Sequence, residues 1–394
     1  MLDKENESRL IKLCQDLVKV KSLSGEEEEV AQVLATFFKE SGFDEIKIDS
    51  CGNSIGIIKG NMPGPTIVLD GHLDTVPVGD INKWTVDPFA ALIKDNRIYG
   101  RGTSDMKGGL SAMAVAASTF AKNNNRDFPG RIIVAGIVYE ELFEGIASKY
   151  ICDEYKPDYV VIGESSELNL KIGQRGRAEI VVETFGVPSH SAHPENGVNA
   201  VYSMTKVVDA INKLSIVSHP ILKEGIMVLT DIKSSPYPGS SVVPSYCKAT
   251  YDRRTIVGET KESVLEPILN CIKELEKKDP TIKAKVSYAQ ASNECYTKNI
   301  ISAEKFFPAW LYEEDDKFVQ DCLKELRKQG FDPDIAIYDF CTNGSYYAGE
   351  KGVKTIGLGP SKENLAHTID EYIEISQLVG AANSYIAILN ALMK

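Results

Sequence analysis

The stretch Thr66-Ile-Val-Leu-Asp-Gly-His72-Leu-Asp74-Thr-Val-Pro-Val-Gly-Asp80 decides how the rest of the chain is read. Ile67, Val68 and Leu69 form a short run of branched apolar residues, as a strand buried on both faces requires. The run ends abruptly in Asp70, Gly71, His72 and Asp74. Titratable groups at the end of a buried strand stand where open α/β sheets bind their ligands. In an extended backbone, positions i and i+2 point the same way. The spacing therefore predicts that the Asp74 carboxylate hydrogen-bonds the His72 imidazole and fixes its tautomer. Metal-binding histidines commonly have such a partner.

Outward from this stretch, apolar strands alternate with helices. Residues 10–20 have helical periodicity. Ser24 with Glu27 reads as a capping box for a second helix running to Glu40, with Gly42 as its stop. Strands are predicted at 46–48, 54–58, 131–139 and 159–163, and residues 108–121, rich in alanine, form a buried helix. This alternation argues for a mainly parallel sheet with flanking helices. The texture changes after Arg175. Strands at 178–185, 226–233, 246–253 and 282–288, with helices at 197–214 and 262–277, follow the β-α-β-β-α-β order of a ferredoxin-like α+β unit. The predicted organisation is an α/β domain over 1–175 and 290–394, interrupted by a smaller domain over 176–289. Helix 318–329, strand 355–358 and a helix from 375 complete the larger one.

Composition excludes several classes. With 44 Lys+Arg against 56 Asp+Glu, the 394-residue chain carries a formal charge of −12. That disfavours nucleic acid and anionic membrane as partners. No stretch is expected to span a membrane, which needs about 20 apolar residues, and the first residues do not resemble a signal peptide. The eight cysteines are scattered without a C-x-x-C pair, so reduced thiols and a cytoplasmic location are expected.

Four acid- or histidine-bearing segments stand at the ends of predicted strands or in adjoining glycine-rich loops: His72/Asp74, Asp105 within residues 100–109, Glu140-Glu141, and Glu164. A fifth, Ala366-His367-Thr368, lies past strand 355–358. Converging on one sheet edge, unpaired carboxylates about 4 Å apart would repel by roughly 4 kcal/mol at an effective dielectric constant of about 20. Cations resolve that, and two histidines with three carboxylates suit zinc, with cobalt or manganese as alternatives. Two Zn²⁺ against three carboxylates and a bridging hydroxide sum to zero charge, as a buried site requires. Loop 100–109 lacks the G-x-x-x-x-G-K-[ST] pattern of a phosphate cradle. His219 and His193 read as structural, and Trp84 and Phe89 as packing.

The motifs Gly71-His-Leu-Asp-Thr-Val-Pro77, Tyr99-Gly-Arg-Gly-Thr-Ser-Asp-Met-Lys-Gly-Gly109, Glu140-Glu141, Gly163-Glu164, Gly186-Val-Pro-Ser-His-Ser-Ala-His-Pro194, Asp252-Arg-Arg-Thr255, Gly359-Pro360 and Ala366-His-Thr368 span nearly the whole chain. In that order they resemble the dinuclear-zinc hydrolases that include acetylornithine deacetylase, succinyl-diaminopimelate desuccinylase, aminoacylase and carboxypeptidase G. Within these the chain resembles most the YgeY-type hydrolases linked to selenium metabolism. The resemblance implies two Zn²⁺ per subunit. His72 and Glu164 would hold one, Glu141 and His367 the other, and Asp105 would bridge both, with a cis peptide after Asp105. It implies Asp74 as the residue orienting His72 and Glu140 as general base on a metal-bridging water. His190 would act in the partner subunit's site, and Arg254 would grip a substrate carboxylate, with Arg253 beside it leaving the register open. Asn343, in Thr342-Asn343-Gly344, stands where relatives often carry an Asp-Gly or Ser-Gly element and is expected to contact substrate. The smaller domain would be a lid and the interface of a homodimer. The implied activity is cleavage of an N-acyl or peptide bond in a small carboxylate-bearing substrate. An N-carbamoyl or ureido amidohydrolase, or a catalytically silent metal-binding protein, would use the same framework.

Overall fold

A computed structural model describes residues 1–394 throughout. The chain forms two compact units. One comprises Met1–Gln174, Ser292–Ser302 and Trp310–Lys394, the other Arg175–Ala291 with Ala303–Ala309. Residues 303–309, expected in the larger unit, therefore belong to the smaller, because Phe306–Phe307 pairs with Ala178 and Arg177 of its first strand.

The larger unit is built on a nine-stranded sheet. Its order is Glu45–Ile48, Ser54–Lys59, Pro129–Ile137, Met62–His72, Tyr159–Ile162, Lys354–Gly357, Leu170–Gln174 and Trp310–Leu311, with Ile335–Tyr338 also on Leu170–Gln174. The four strands from Pro129–Ile137 to Lys354–Gly357 run parallel. Ser54–Lys59 and Leu170–Gln174 flank them antiparallel. The sheet is thus mixed, parallel at its centre rather than throughout. One physical reason is that residues 49–53 are too few to cross over, so Glu45–Ile48 must fold back on Ser54–Lys59.

Strand Met62–His72 is exposed at its start and buried from Thr66 onward. Ile67, Val68 and Leu69 are fully buried, each stabilising the fold by about 1.5–3 kcal/mol. Helix Gly108–Asn123, buried along nearly all its length, packs with helix Ile375–Leu392. The latter is long and apolar enough to cross a membrane by length and composition, which the sequence reading did not expect. It is 61% buried, with Leu378, Tyr385 and Ile388 in the core, as a central helix of a large fold is.

The helix at residues 10–20 starts earlier, at Lys4, capped by Asp3. The predicted capping box is absent: helix Glu28–Glu40 has no side-chain cap. Ser24 Oγ instead donates to Asp74, and Glu27 accepts from the Tyr139 N–H. Both side chains are drawn inward by groups far along the chain.

In the smaller unit the strands Ile226–Ser235, Tyr246–Thr255, Gly176–Phe185 and Ala284–Tyr288 pair antiparallel in that order. Helices Ala200–Ile211 and Lys261–Lys278 complete the β-α-β-β-α-β arrangement. Ile180, Val182, Met204, Tyr251 and Ile268 lie in its core.

Candidate metal centre

Three neighbouring parallel strands deliver the first ligands. His72 closes Met62–His72 and pairs in register with Ile137, the end of Pro129–Ile137. Glu140 and Glu141 follow that strand after Tyr139, whose φ of 59° turns the chain. Glu164 stands just past Tyr159–Ile162. Parallel strands put their carboxyl ends on one sheet edge, so the three segments converge. Asp105 enters on a loop that turns at Gly102 (φ 86°), where a Cβ would press on Thr75 and Lys107. The Asp105–Met106 peptide is cis, as the resemblance implied. His367 follows strand Lys354–Gly357 and the turn Glu363–Leu365.

The five side chains form two groups that share Asp105. On one side, His72 Nε2 lies 2.9 Å from Asp105 Oδ1 and 3.5 Å from Glu164 Oε1. On the other, His367 Nε2 lies 3.0 Å from Asp105 Oδ2 and 3.0 Å from Glu141 Oε2. Glu140 Oε2 approaches His72 Nε2 at 4.0 Å. His72 is 1% exposed, whereas the His367 side chain is 52% exposed, so the cluster opens to solvent at His367.

This geometry fits cations. His72 Nδ1 donates to the Asp74 backbone carbonyl at 2.8 Å. A carbonyl only accepts, so Nδ1 carries the proton and a neutral His72 turns the Nε2 lone pair toward carboxylate oxygens. Acceptor would face acceptor. At His367 a single ring nitrogen meets two carboxylates. The only basic groups paired with Asp105, Glu140, Glu141 and Glu164 are these two histidines.

Burial pushes the carboxyls of Glu140 and Glu164 well above their ordinary range and that of Glu141 up to about 7. Burial also works on Asp105, but hydrogen bonds from His367 and His72 overcome it and hold Asp105 low. His367 is raised to about 10 by its bonds to Asp105 and Glu141. Protons substitute here for the positive charge that the donor set invites. Imidazole and carboxylate donors suit zinc, cobalt or manganese.

The peptidase family M20/M25/M40 matches residues 68–391. The chain belongs to this family. It is 32% identical over 391 residues to the uncharacterized protein YgeY of Escherichia coli (strain K12), covering 98% of this chain and 94% of that one. It is 28% identical over 395 residues to succinyl-diaminopimelate desuccinylase 2 of Ruegeria sp. (strain TM1040), covering 96% and 94%. Among solved structures it resembles YXEP of Bacillus subtilis, a dinuclear metal binding peptidase from the M20 family. The TM-score is 0.70 at 13% identity, with 100% of both chains covered, a likeness of fold. The motif resemblance is borne out at the level of the family.

Against that background, two expected roles change. The Asp74 carboxylate does not fix the His72 tautomer: its Oδ1 is 3.7 Å from Nδ1. The Asp74 carbonyl does so, because the chain curls after His72. The fully buried carboxylate instead accepts from the N–H groups of Glu140 (3.0 Å) and Glu141 (3.1 Å) and from Ser24 Oγ (2.6 Å). It pins the turn that presents base and ligand. Asn343 is not free to meet substrate. It is 2% exposed, its Oδ1 accepts from Gly145 N (2.8 Å) and its Nδ2 donates to Asp70 (2.9 Å). It braces the far end of the 140–145 loop.

In the smaller unit the register of Tyr246–Thr255 separates the two arginines. Arg253 is buried and paired with Glu259. Arg254 faces the other way, its Nε donating to Asp252 and its terminal nitrogens making no hydrogen bond. His190 is exposed and bridges to Val242. Its Nδ1 accepts from Ala192 N at 3.0 Å, so the neutral ring carries its proton on Nε2. His219 caps its own turn, accepting from Ile221 N and Leu222 N. His193 lies beside Glu195 on the surface. Trp84 Nε1 donates to the Val78 carbonyl, a packing role.

Sequence reading missed Glu371, buried against the Asp105 loop, and the inward use of Ser24 and Glu27. A charged residue between Asp370 and Tyr372 carries no local signal of burial. Burial pushes the Glu27 carboxyl up to about 8, with Asp74 adding to it.

Proposed function

We propose that this M20-family chain hydrolyses an amide bond, N-acyl or peptide, in a small carboxylate-bearing substrate, at a centre of two divalent cations. Zinc is the proposed metal, with cobalt or manganese as substitutes. The observation that carries the reading is the position of Asp105, whose two oxygens face two different histidines, each with a further carboxylate. His72 and Glu164 would hold one cation, Glu141 and His367 the other. The description of YXEP as a dinuclear metal binding peptidase supports a reading with two cations. When bound, two such cations acidify water toward neutrality and polarise a carbonyl.

The chain's own groups supply the rest. Glu140, buried beside the cluster, would take a proton from the attacking water and return it to the departing nitrogen as the C–N bond breaks. Asp74 holds the two N–H groups of the 140–141 turn, keeping base and ligand in fixed relation. The free terminal nitrogens of Arg254 have the fork geometry that grips a carboxylate. Succinyl-diaminopimelate desuccinylase 2 is a relative whose name describes removal of an acyl group, consistent with an N-acyl substrate.

We also infer a cytoplasmic homodimer joined through the smaller unit. None of the eight cysteines forms a disulfide and seven are buried, which suits a reducing compartment. The edge strand Ile226–Ser235 exposes Ile226, Val228 and Ile232, an edge that invites pairing. The Nε2–H of His190 would then serve the partner's site as a donor to the developing oxyanion.

A panel of N-acyl amino acids and dipeptides, assayed before and after chelation and after adding back Zn²⁺ or Co²⁺, tests the proposal. Amide hydrolysis should vanish with the metal and return with it. Full turnover by metal-free protein would refute it.

A further inference from the structure

Glu371 is fully buried, and its carboxylate serves three donors. Oε1 accepts from the backbone N–H of Ser104 at 2.8 Å and of Asp105 at 3.2 Å, and Oε2 accepts from Arg101 Nη1. Arg101 is itself buried, its guanidinium 5.4 Å from the Trp84 ring centre. Two chain segments are laced around this carboxylate. Gly100 N donates to the Glu371 carbonyl at 2.8 Å, Tyr372 pairs in register with Tyr99, and Ser104 Oγ donates to the Tyr372 carbonyl at 2.7 Å. One segment runs directly into Asp105. The other begins shortly after His367. The cluster depends on Asp105 Oδ2 and His367 Nε2 lying 3.0 Å apart, although they come from distant parts of the sequence.

We propose that Glu371 is a positioning residue for the metal centre, setting the orientation of the Asp105 peptide and the approach of the Asp105 loop to the His367 segment. This inference rests on reading the cluster as a metal centre. A single oxygen shared by two successive N–H groups fixes the peptide plane from which Asp105 departs. A carboxylate is required because the third donor is a guanidinium in the interior, where an unpaired charge is costly. An amide at this position would turn a donor toward Arg101 or toward the two N–H groups, and the loop would have to shift. Outer-shell partners of this kind typically carry about 10–100-fold in metal affinity.

The test is Glu371→Gln, made in the full-length protein and stripped of metal. Zn²⁺ affinity is measured by competition with a chromophoric chelator, alongside far-UV circular dichroism and thermal unfolding of the metal-free form. The expected result is Zn²⁺ binding weaker by about 10–100-fold in a protein whose metal-free form keeps the wild-type spectrum. A folded variant with wild-type Zn²⁺ affinity overturns the inference and leaves the metal-centre reading standing. Wild-type protein that binds no divalent cation overturns the metal-centre reading, and the inference with it. If Glu371→Gln does not fold, Arg101→Lys decides. It keeps a cation beside Glu371 but loses the planar fork, so a smaller loss of affinity in the same direction supports the inference and unchanged affinity overturns it.

Discussion

Replacing Glu140 by glutamine keeps the side chain's shape while removing its basic oxygen and its charge. A positioned general base contributes about 10²–10⁴ in rate, or about 2.7–5.4 kcal/mol at 1.36 kcal/mol per decade. Glu140→Gln should therefore lower kcat by that factor on the best substrate of the panel. Metal content should not follow. Glu140 Oε2 is 4.0 Å from His72 Nε2, against 2.9 Å for Asp105 and 3.5 Å for Glu164, so no proposed ligand is lost. A carboxylate oxygen of Glu140 and one of Glu164 lie within 4.8 Å of each other. Burial and the neighbouring carboxylates push the Glu140 carboxyl well above its ordinary range, so its ionisation costs the metal-free fold stability as pH rises. The metal-free variant, which lacks that ionisation, should consequently gain stability relative to metal-free wild type as pH rises. Glu141→Gln should behave differently, losing most of one cation per chain, because Glu141 faces His367 directly. Elemental analysis, thermal unfolding of the metal-free proteins and steady-state kinetics read the three effects. Equal loss of metal in both variants would refute the division of roles between these neighbours.

Three further outcomes follow from the same geometry. Without cations the Glu141 carboxyl sits at about 7, Glu164 well above its ordinary range and His367 at about 10. Metal must displace these protons, so affinity should rise as pH rises through 7 and fall as it drops. Calorimetry in buffers of different ionisation enthalpy should detect proton release on binding, and zero release would contradict the assignment. Arg254→Lys should raise KM strongly for carboxylate substrates, since an ammonium cannot reproduce the bidentate fork; an unchanged KM removes the role from Arg254. Mixing inactive His190→Ala with inactive Glu140→Gln should restore activity if His190 serves the partner's site, because a mixed dimer holds one site with both groups. Re-associated mixed dimers that stay inactive would rule out action in trans.

How much of this was legible beforehand differs from residue to residue. Ile67 to Leu69 ending in His72, and Tyr159 to Ile162 ending near Glu164, announced a ligand edge because buried strands are apolar on both faces. The β-α-β-β-α-β order of the smaller unit was readable for the same reason: period-2 and helical patterns are local. Ser24 and Glu27 misled because a capping box is also a local pattern, yet their partners, Asp74 and Tyr139, arrive from elsewhere in the sheet. Asn343 misled likewise, its motif matching a substrate element while Asp70 and Gly145 occupied its amide.

The sequence by itself determined which residue types stand at the strand ends, the family, and the two-part organisation, since all three are written in periodicity and motif. Only the tertiary structure decided the partners. It sends the two oxygens of Asp105 to histidines on opposite sides, gives the Asp74 carboxylate to the 140–141 turn rather than to His72, and buries Arg253 while leaving Arg254 half-buried. It also makes the sheet edges antiparallel. Periodicity reports which face of an element is buried. A hydrogen-bond partner is chosen by directions and distances between segments far apart in the chain, and these exist only once the sheet has closed.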